Sequence, residues 1–309
     1  MISGAGRALS IRNRHRRLGT YPLLDGRATA RGTPFVPPLS GGIYDACRKE
    51  ERTVRREWTR QPSPVTVLVM NEPLVVRILR ADGPHAAGHY QTYRLEREPR
   101  SSVLDVLAAV QNSHDPTLAF RYSCRAGMCG TCSVRINGRN RWSCRTAIGD
   151  LGSGPLTVEP LPNYPVIRDL VVDMAPFFER YRRVRAEFVP AQPGRPDFAS
   201  VRPDSAERQD IDGHVECITC GICYGSCGMA AASDSYLGPA ALTRAFTLIR
   251  DSRDGAGEER LARTAGHEGV WGCHTQFNCS DDCPMDVAPT SAIQKLKRLE
   301  VRHALSRIF

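Results

Sequence analysis

Apolar side chains interrupted by single arginines cover residues 74–80, Leu-Val-Val-Arg-Ile-Leu-Arg, and apolar and polar ones mix again over 89–98. The two stretches read as a strand pair, and Ala81-Asp82-Gly83-Pro84 supplies turn formers at the start of the connection. A helical period follows. Ser101 or Ser102 can cap a helix in which Val103, Leu104, Leu107 and Val110 share one face. Two short strands are predicted at 133–136 and 141–144, with Asn137-Gly138 as a hairpin signal between them. Strand, strand, helix, loop and strands make an α+β domain ending near Pro162. Beyond Pro165 the pattern turns helical. Residues 166–186 place Asp169, Leu170, Asp173, Phe177 and Tyr181 as in an amphipathic helix, and residues 187–213 carry enough Pro, Gly and Asp to predict an extended connection. Further helices are expected at 239–253, with Leu242, Ala245, Phe246 and Ile249 in register, and at 289–305, with Ile293, Leu296 and Leu299. No strand-rich repeat is expected in this half.

No apolar run approaches the roughly 18–20 residues that span a bilayer. The longest, such as 65–70, are strand-like, so the chain is expected to have no transmembrane segment of its own and to meet a membrane only through partners. Its 309 residues allow two domains. The net charge of +9 is uneven. Residues 1–69 hold 13 Lys and Arg against 5 Asp and Glu, +8, while the rest hold 29 against 28, +1. The basicity therefore belongs to one segment, and a nucleic-acid partner is not expected. Residues 1–44 have seven arginines, no lysine and a single acid, Asp25. That composition fits a transit peptide or, in the preferred reading, a basic disordered extension or translation from an upstream start, with the fold beginning near Met70.

Twelve cysteines change the picture. They are about 4% of the chain, below the level of a disulfide scaffold, and no apolar-cored secretory signal opens the sequence. Eleven fall into three tight groups: Cys124, Cys129, Cys132 and Cys144; Cys217, Cys220, Cys223 and Cys227; Cys273, Cys279 and Cys283. Cys47 stands alone and is expected to be an uninvolved thiol. The first group has the x4, x2 spacing of plant-type [2Fe–2S] ligands, with Gly127 and Gly130 where the backbone must curl and leave amides open towards sulfur. Zinc also takes four cysteines, but this spacing with paired glycines favours iron–sulfur. The second group has the x2, x2, x3 spacing of a bacterial ferredoxin run, in which the fourth thiolate serves the other cluster. The third ends in Cys283-Pro284. Cys283 should then complete a [4Fe–4S] site with Cys217, Cys220 and Cys223, leaving Cys227, Cys273 and Cys279. A full run would have a cysteine three residues after Cys273; Gln276 stands there, and an amide is a poor ligand for iron. Three thiolates point to a [3Fe–4S] cluster, the alternative being a fourth iron with a non-cysteine ligand.

Together these motifs resemble the iron–sulfur subunit of succinate dehydrogenase and fumarate reductase. So do Glu159-Pro160-Leu161-Pro162-Asn163-Tyr164-Pro165 with its continuation to Asp173, Tyr236-Leu237-Gly238-Pro239-Ala240, Asp251-Ser252-Arg253-Asp254 and Gly272-Cys273-His274. The likeness covers about residues 72–300 and leaves 1–69 unexplained. It implies a β-grasp [2Fe–2S] domain over 70–165 followed by an α-helical ferredoxin domain over 166–309. It also implies an electron-transfer subunit of a tricarboxylic acid cycle enzyme, not catalytic alone, relaying electrons between a FAD-containing flavoprotein subunit and membrane quinone beside membrane anchor subunits. Such a subunit would be peripheral on the cytoplasmic face of the plasma membrane, or on the matrix face of the inner mitochondrial membrane if residues 1–44 are a transit peptide. His274 matches a family histidine near the [3Fe–4S] cluster and quinone. The family often has proline after its fourth ferredoxin cysteine and a tryptophan a few residues on; here the stretch is Gly228-Met229-Ala230-Ala231-Ala232-Ser233, so the quinone pocket is expected to differ.

Other residues are given plainer expectations. Trp271 should pack beside the third cysteine loop and Trp142 in the hairpin before Cys144. His214 and His267 should be exposed, and Arg244, Arg250 and Arg253 should form a solvated face or a subunit contact. Competing functions are a free electron-carrier ferredoxin, the iron–sulfur component of another flavin-linked oxidoreductase, and a zinc-bound structural protein. The linking stretch argues against the first and the plant-type domain joined to a three-cluster set against the second; the third would be colourless.

Overall fold

The structure is a computed structural model that describes residues 73–84, 86–194 and 200–308. The basic extension, the strand-like run at 65–70 and Cys47 lie outside the described residues.

Strands β1 (Leu74–Arg80) and β2 (His89–Leu95) pair antiparallel from Leu74 opposite Leu95 to Arg80 opposite His89. Along β1 burial alternates, so Leu74, Val76 and Ile78 point into one core. Helix α1 (Val103–Ser113) begins at Ser102, whose hydroxyl accepts from the Asp105 N–H while the Asp105 carboxylate takes the Ser102 N–H. Its buried face adds Val106 to the four predicted residues. Strands β3 (Ser133–Ile136) and β4 (Arg139–Trp142) form the expected hairpin, Asn137 and Gly138 both having positive φ. The second strand starts two residues earlier than predicted, and Cys144 falls in the 3-10 turn Ser143–Arg145. A strand that the pattern did not single out, β5 (Leu156–Glu159), lies between β1, to which it is parallel, and β3, to which it is antiparallel. The result is a mixed five-stranded sheet in the order β2-β1-β5-β3-β4.

The helix predicted over 166–186 is not one element. Strands β6 (Val166–Arg168) and β7 (Val171–Val172) form a small hairpin before α2 (Ala175–Arg183). The cause is Asp169, which adopts φ 47° and is buried. Its carboxylate accepts from Arg80 Nε at 2.8 Å and the Ala119 N–H at 2.8 Å, which fixes the chain against the sheet and interrupts helical progression. Arg80 also meets Asp115 at 2.5 Å; burial opposes its charge, but the bonds to Asp169 and Asp115 prevail and hold its pKa above the ordinary value.

The remaining elements are helical. Residues 187–213 are not wholly extended, since α3 (Ala206–Val215) starts within them under a Ser205 cap. Two short helices, α4 (Ile222–Gly225) and α5 (Gly228–Ala232), precede α6 (Gly238–Ile249), which is buried almost all round. It packs against α3, α7 (Gly257–Thr264) and α9 (Pro289–Ser306); a one-turn helix, α8 (Asn278–Asp281), leads into the last. Proline at the first turn of α6 and α9 presets their φ where no N–H partner is needed.

The helical core around Phe177, Leu242, Phe246 and Ile293 runs on without a break into Trp142, Leu161 and Tyr164. Asn163 pins this junction. Its φ of 66° suits asparagine, and its amide reaches the carbonyls of Tyr224, Gly225 and Cys227 at 2.9, 3.2 and 3.0 Å. Asn163→Ala is expected to lower stability by about 2 kcal/mol, since the bonds across the junction are lost and the Gly225 carbonyl loses this donor. Urea unfolding followed by circular dichroism checks this, and an unchanged midpoint would contradict it.

Candidate metal centre

The first four thiols sit on the loop between α1 and β3 and on the turn after β4. Positive φ at Arg125, Gly127 and Gly130 curls the loop, and the N–H groups of Ala126, Met128 and Cys129 converge on Cys124 Sγ at 3.4, 3.3 and 3.4 Å. Those bonds draw the Cys124 thiol down to about 6. Burial, and then Cys132 alongside, push Cys144 up to about 11.

Cys217, Cys220, Cys223 and Cys283 line a second concave site, beside α4 and the start of α9. Burial pushes Cys220 up to about 11 and Cys223 well above the ordinary thiol range. Cys227, Cys273 and Cys279 line a third, together with His274, Gln276 and Phe277. Burial raises Cys227 and Cys279 as well, and Thr290 Oγ1 lies 3.2 Å from Cys279 Sγ. His274 and Gln276 are both exposed at the mouth of this site.

The backbone explains why these two sites are alike. Two residues after Cys217, Thr219 has φ 56°; two after Cys273, Thr275 has φ 59°. Four residues on, Gly221 and Phe277 have φ 80° and 65°, and each is followed at once by a one-turn helix, α4 or α8. The loops therefore repeat one conformation, in which Gln276 stands where Cys220 stands in the other copy. Gly228, found where proline was anticipated, also has a local reason. A Cβ on it would lie 2.7 Å from Gln276 Oε1, so the carboxamide occupies that space.

All eleven described cysteines are free thiols. Among the described residues no three His, Cys, Asp or Glu side chains are gathered closely enough to hold one metal ion. The thiols of the second and third sites instead line shared cavities, where burial makes isolated thiolates costly. Soft anionic donors placed in this way fit a cationic core of several atoms, which would repay the burial of charge. The donor set therefore suits iron–sulfur clusters.

The first and second sites touch. A Cβ on Gly130 would lie 2.4 Å from Cys220 Cβ and 2.8 Å from its Cα, so the two loops meet backbone to backbone. The second and third sites are joined through α4, which links Cys223 to Cys227 by a single turn.

A family model described as a 2Fe-2S iron-sulfur cluster binding domain matches residues 75–179, and one described as a 4Fe-4S dicluster domain matches 214–287. Succinate dehydrogenase (ubiquinone) iron-sulfur subunit 1 of Oryza sativa subsp. japonica is 38% identical over 226 residues, 71% of this chain and 79% of its own. The chain belongs to the succinate dehydrogenase and fumarate reductase iron–sulfur subunit family. Fumarate reductase iron-sulfur subunits of Haemophilus influenzae and Mycobacterium tuberculosis are 33% and 35% identical over 68% and 72% of this chain, and 85% and 90% of theirs. A chain from the Mycobacterium smegmatis Sdh1 complex in the apo form aligns with TM-score 0.68 and 27% identity, covering 75% of this chain and 97% of that one. As a member of this family the chain is an iron–sulfur electron-transfer subunit, carrying 2Fe–2S and 4Fe–4S binding domains in a ferredoxin-like arrangement of mixed sheet and helices.

Several plainer expectations for this iron–sulfur subunit need correction. His214 is buried, not exposed: its Nδ1 lies 2.7 Å from the Val287 carbonyl oxygen and its ring meets Phe246 edge-on. Burial depresses its pKa. Its place in α3, on the face turned to α6, could not be seen while 187–213 read as extended. The three arginines do not form a free solvated face. Arg250 pairs with Asp210 at 2.7 Å, Arg253 with Asp251 at 2.6 Å, and Arg244 donates to the Ala186 carbonyl. His267 is exposed. Trp271 is partly exposed, its indole N–H donating to Glu300. Sequence reasoning missed Asn163 and the contact at Gly130. The αL tolerance of Asn and Gly was the available signal, and it carries no information about the distant partner.

Proposed function

We propose that Cys124, Cys129, Cys132 and Cys144 hold a [2Fe–2S] cluster in a β-grasp domain of about residues 70–165. Cys217, Cys220, Cys223 and Cys283 would hold a [4Fe–4S] cluster, and Cys227, Cys273 and Cys279 a [3Fe–4S] cluster, in an α-helical domain of about residues 166–309. The observation that carries this reading is the grouping of thiols into sites of four, four and three on loops that adjoin in that order. When bound, the clusters supply one-electron carriers at fixed spacing. The chain supplies the spacing and the surroundings. Gly130 allows the first two loops to touch, amides aimed at Cys124 stabilise negative charge on sulfur, and Gln276 withholds a fourth thiolate from the third site.

Electrons would pass between a FAD-containing flavoprotein subunit and membrane quinone, by way of anchor subunits. No helix among the described residues is long and apolar enough to cross a membrane. A peripheral position on the cytoplasmic or matrix face, bound through those partners, fits the family's activity. His274, exposed at the mouth of the third site, would face quinone.

Electron paramagnetic resonance of the complex tests the assignment. The oxidised protein should give an S = 1/2 [3Fe–4S] signal. Gln276→Cys should abolish that signal, create a [4Fe–4S] centre and lower the potential of the third site. An oxidised sample containing iron and sulfide but lacking that signal would reject the three-iron reading.

A further inference from the structure

Trp142 closes β4 two residues before Cys144 and is 8% exposed. Its Nε1 is a buried donor with no hydrogen-bond partner; among the described residues Asn140 Oδ1, an acceptor, shares that state. An indole N–H cannot accept and cannot change its protonation to escape the cost of burial. Such an orphan in a packed core points to an acceptor that acquires its strength only in the loaded protein.

The surroundings name that acceptor. The benzo edge of the indole lies on the first cysteine loop, where a Cβ on Gly127 would come 3.2 Å from Trp142 Cζ3. Cys220 packs against the same buried cluster as Trp142, and Gly130 of the first loop lies directly on Cys220. The Ile222 N–H and the Trp142 indole N–H are both aimed at the Cys220 sulfur, and the indole makes no bond there that satisfies it. Sulfur bound to iron carries more charge than a free thiol and is the better acceptor.

We propose that Trp142 is a positioning residue between the first two cluster sites, its indole N–H donating to the Cys220 sulfur and raising the potential of the second cluster but not of the first. This rests on the reading that Cys220 ligates a cluster. A hydrogen bond to ligand sulfur stabilises the reduced, more negative cluster, so its loss makes reduction harder.

The test is Trp142→Phe in the native complex, with Trp142→Leu beside it, followed by redox titration with electron paramagnetic resonance detection. Both variants lack the N–H, and only the first keeps an aromatic ring. The expected result is a shift of the second cluster's midpoint to more negative potential, similar in both variants, with the [2Fe–2S] midpoint unmoved. An unmoved second midpoint, or a shift in Leu but not in Phe, overturns the proposal. If neither variant assembles, wild-type complex with ¹⁵N-indole tryptophan gives the answer. A ¹⁵N coupling to the reduced second cluster supports the bond, and its absence overturns it. Wild-type protein without iron or acid-labile sulfide would instead overturn the functional reading on which the proposal stands.

Discussion

Gly130→Ala should strip iron and sulfide from the first two sites together. The added methyl would lie 2.4 Å from Cys220 Cβ and 2.8 Å from Cys220 Cα. Neither is the end of a flexible side chain, so relief requires moving one cysteine loop away from the other. Crowding of this kind costs about 1–3 kcal/mol, and the φ of +68° at Gly130 adds about 1 kcal/mol for a residue with a Cβ. The measurement is iron and acid-labile sulfide per chain in the purified complex, with thermal unfolding beside it. Gly138→Ala is the control. Its φ is +81°, but a Cβ there meets nothing within 4 Å. It should lose only the backbone share, about 1 kcal/mol, and keep its clusters. Equal losses in the two variants would show that contact between the loops is not what matters.

Arg260→Leu should be the most destabilising change far from the thiols. Arg260 and Asp254 form an ion pair in which both side chains are fully buried. Arg260 also donates to the carbonyls of Arg185, at 2.7 Å, and Glu187, while Asp254 accepts from the N–H groups of Val189 and Ala256, each at 2.9 Å. The pair thus ties the chain after α2 to α7. Removing the guanidinium leaves a carboxylate without its counter-charge in the interior, a loss of about 3–5 kcal/mol. For a body of this size the midpoint should fall by roughly 10 °C. Asp254→Asn added to Arg260→Leu should recover part of the loss, because it removes the stranded charge and keeps an acceptor for one of the two N–H groups. A single variant that melts with the wild type would show that solvent or relaxation satisfies Asp254.

What the sequence disclosed follows the range of the forces involved. Period and local chemistry gave β1, α1 with its Ser102 cap, the Asn137-Gly138 turn, α6 and α9, because each is decided by neighbours within a few residues. The family, too, was legible, since cysteine spacing is itself a local property. The stretch 166–186 misled because its helix-like spacing is overruled by a charge 89 residues away: Arg80 captures Asp169 and turns the chain into a hairpin. Strand β5 went unseen because four residues carry little periodicity, and its pairing with β1 spans the whole first half. His214 was misplaced because burial belongs to helix packing, which no pattern within α3 records. At the sites themselves, the vacancy at Gln276 was visible as a missing letter. That Thr275 and Phe277 repeat the backbone of Thr219 and Gly221 required coordinates.

The junction that Asn163 pins also bears on rate. Some redox carriers swing a mobile head between donor and acceptor, so their turnover slows in viscous media. Here one uninterrupted apolar core crosses the junction, and the first two cysteine loops have no room for a methyl group between them. The gap an electron must tunnel is set at folding, and its passage should keep pace in glycerol or sucrose as in dilute buffer.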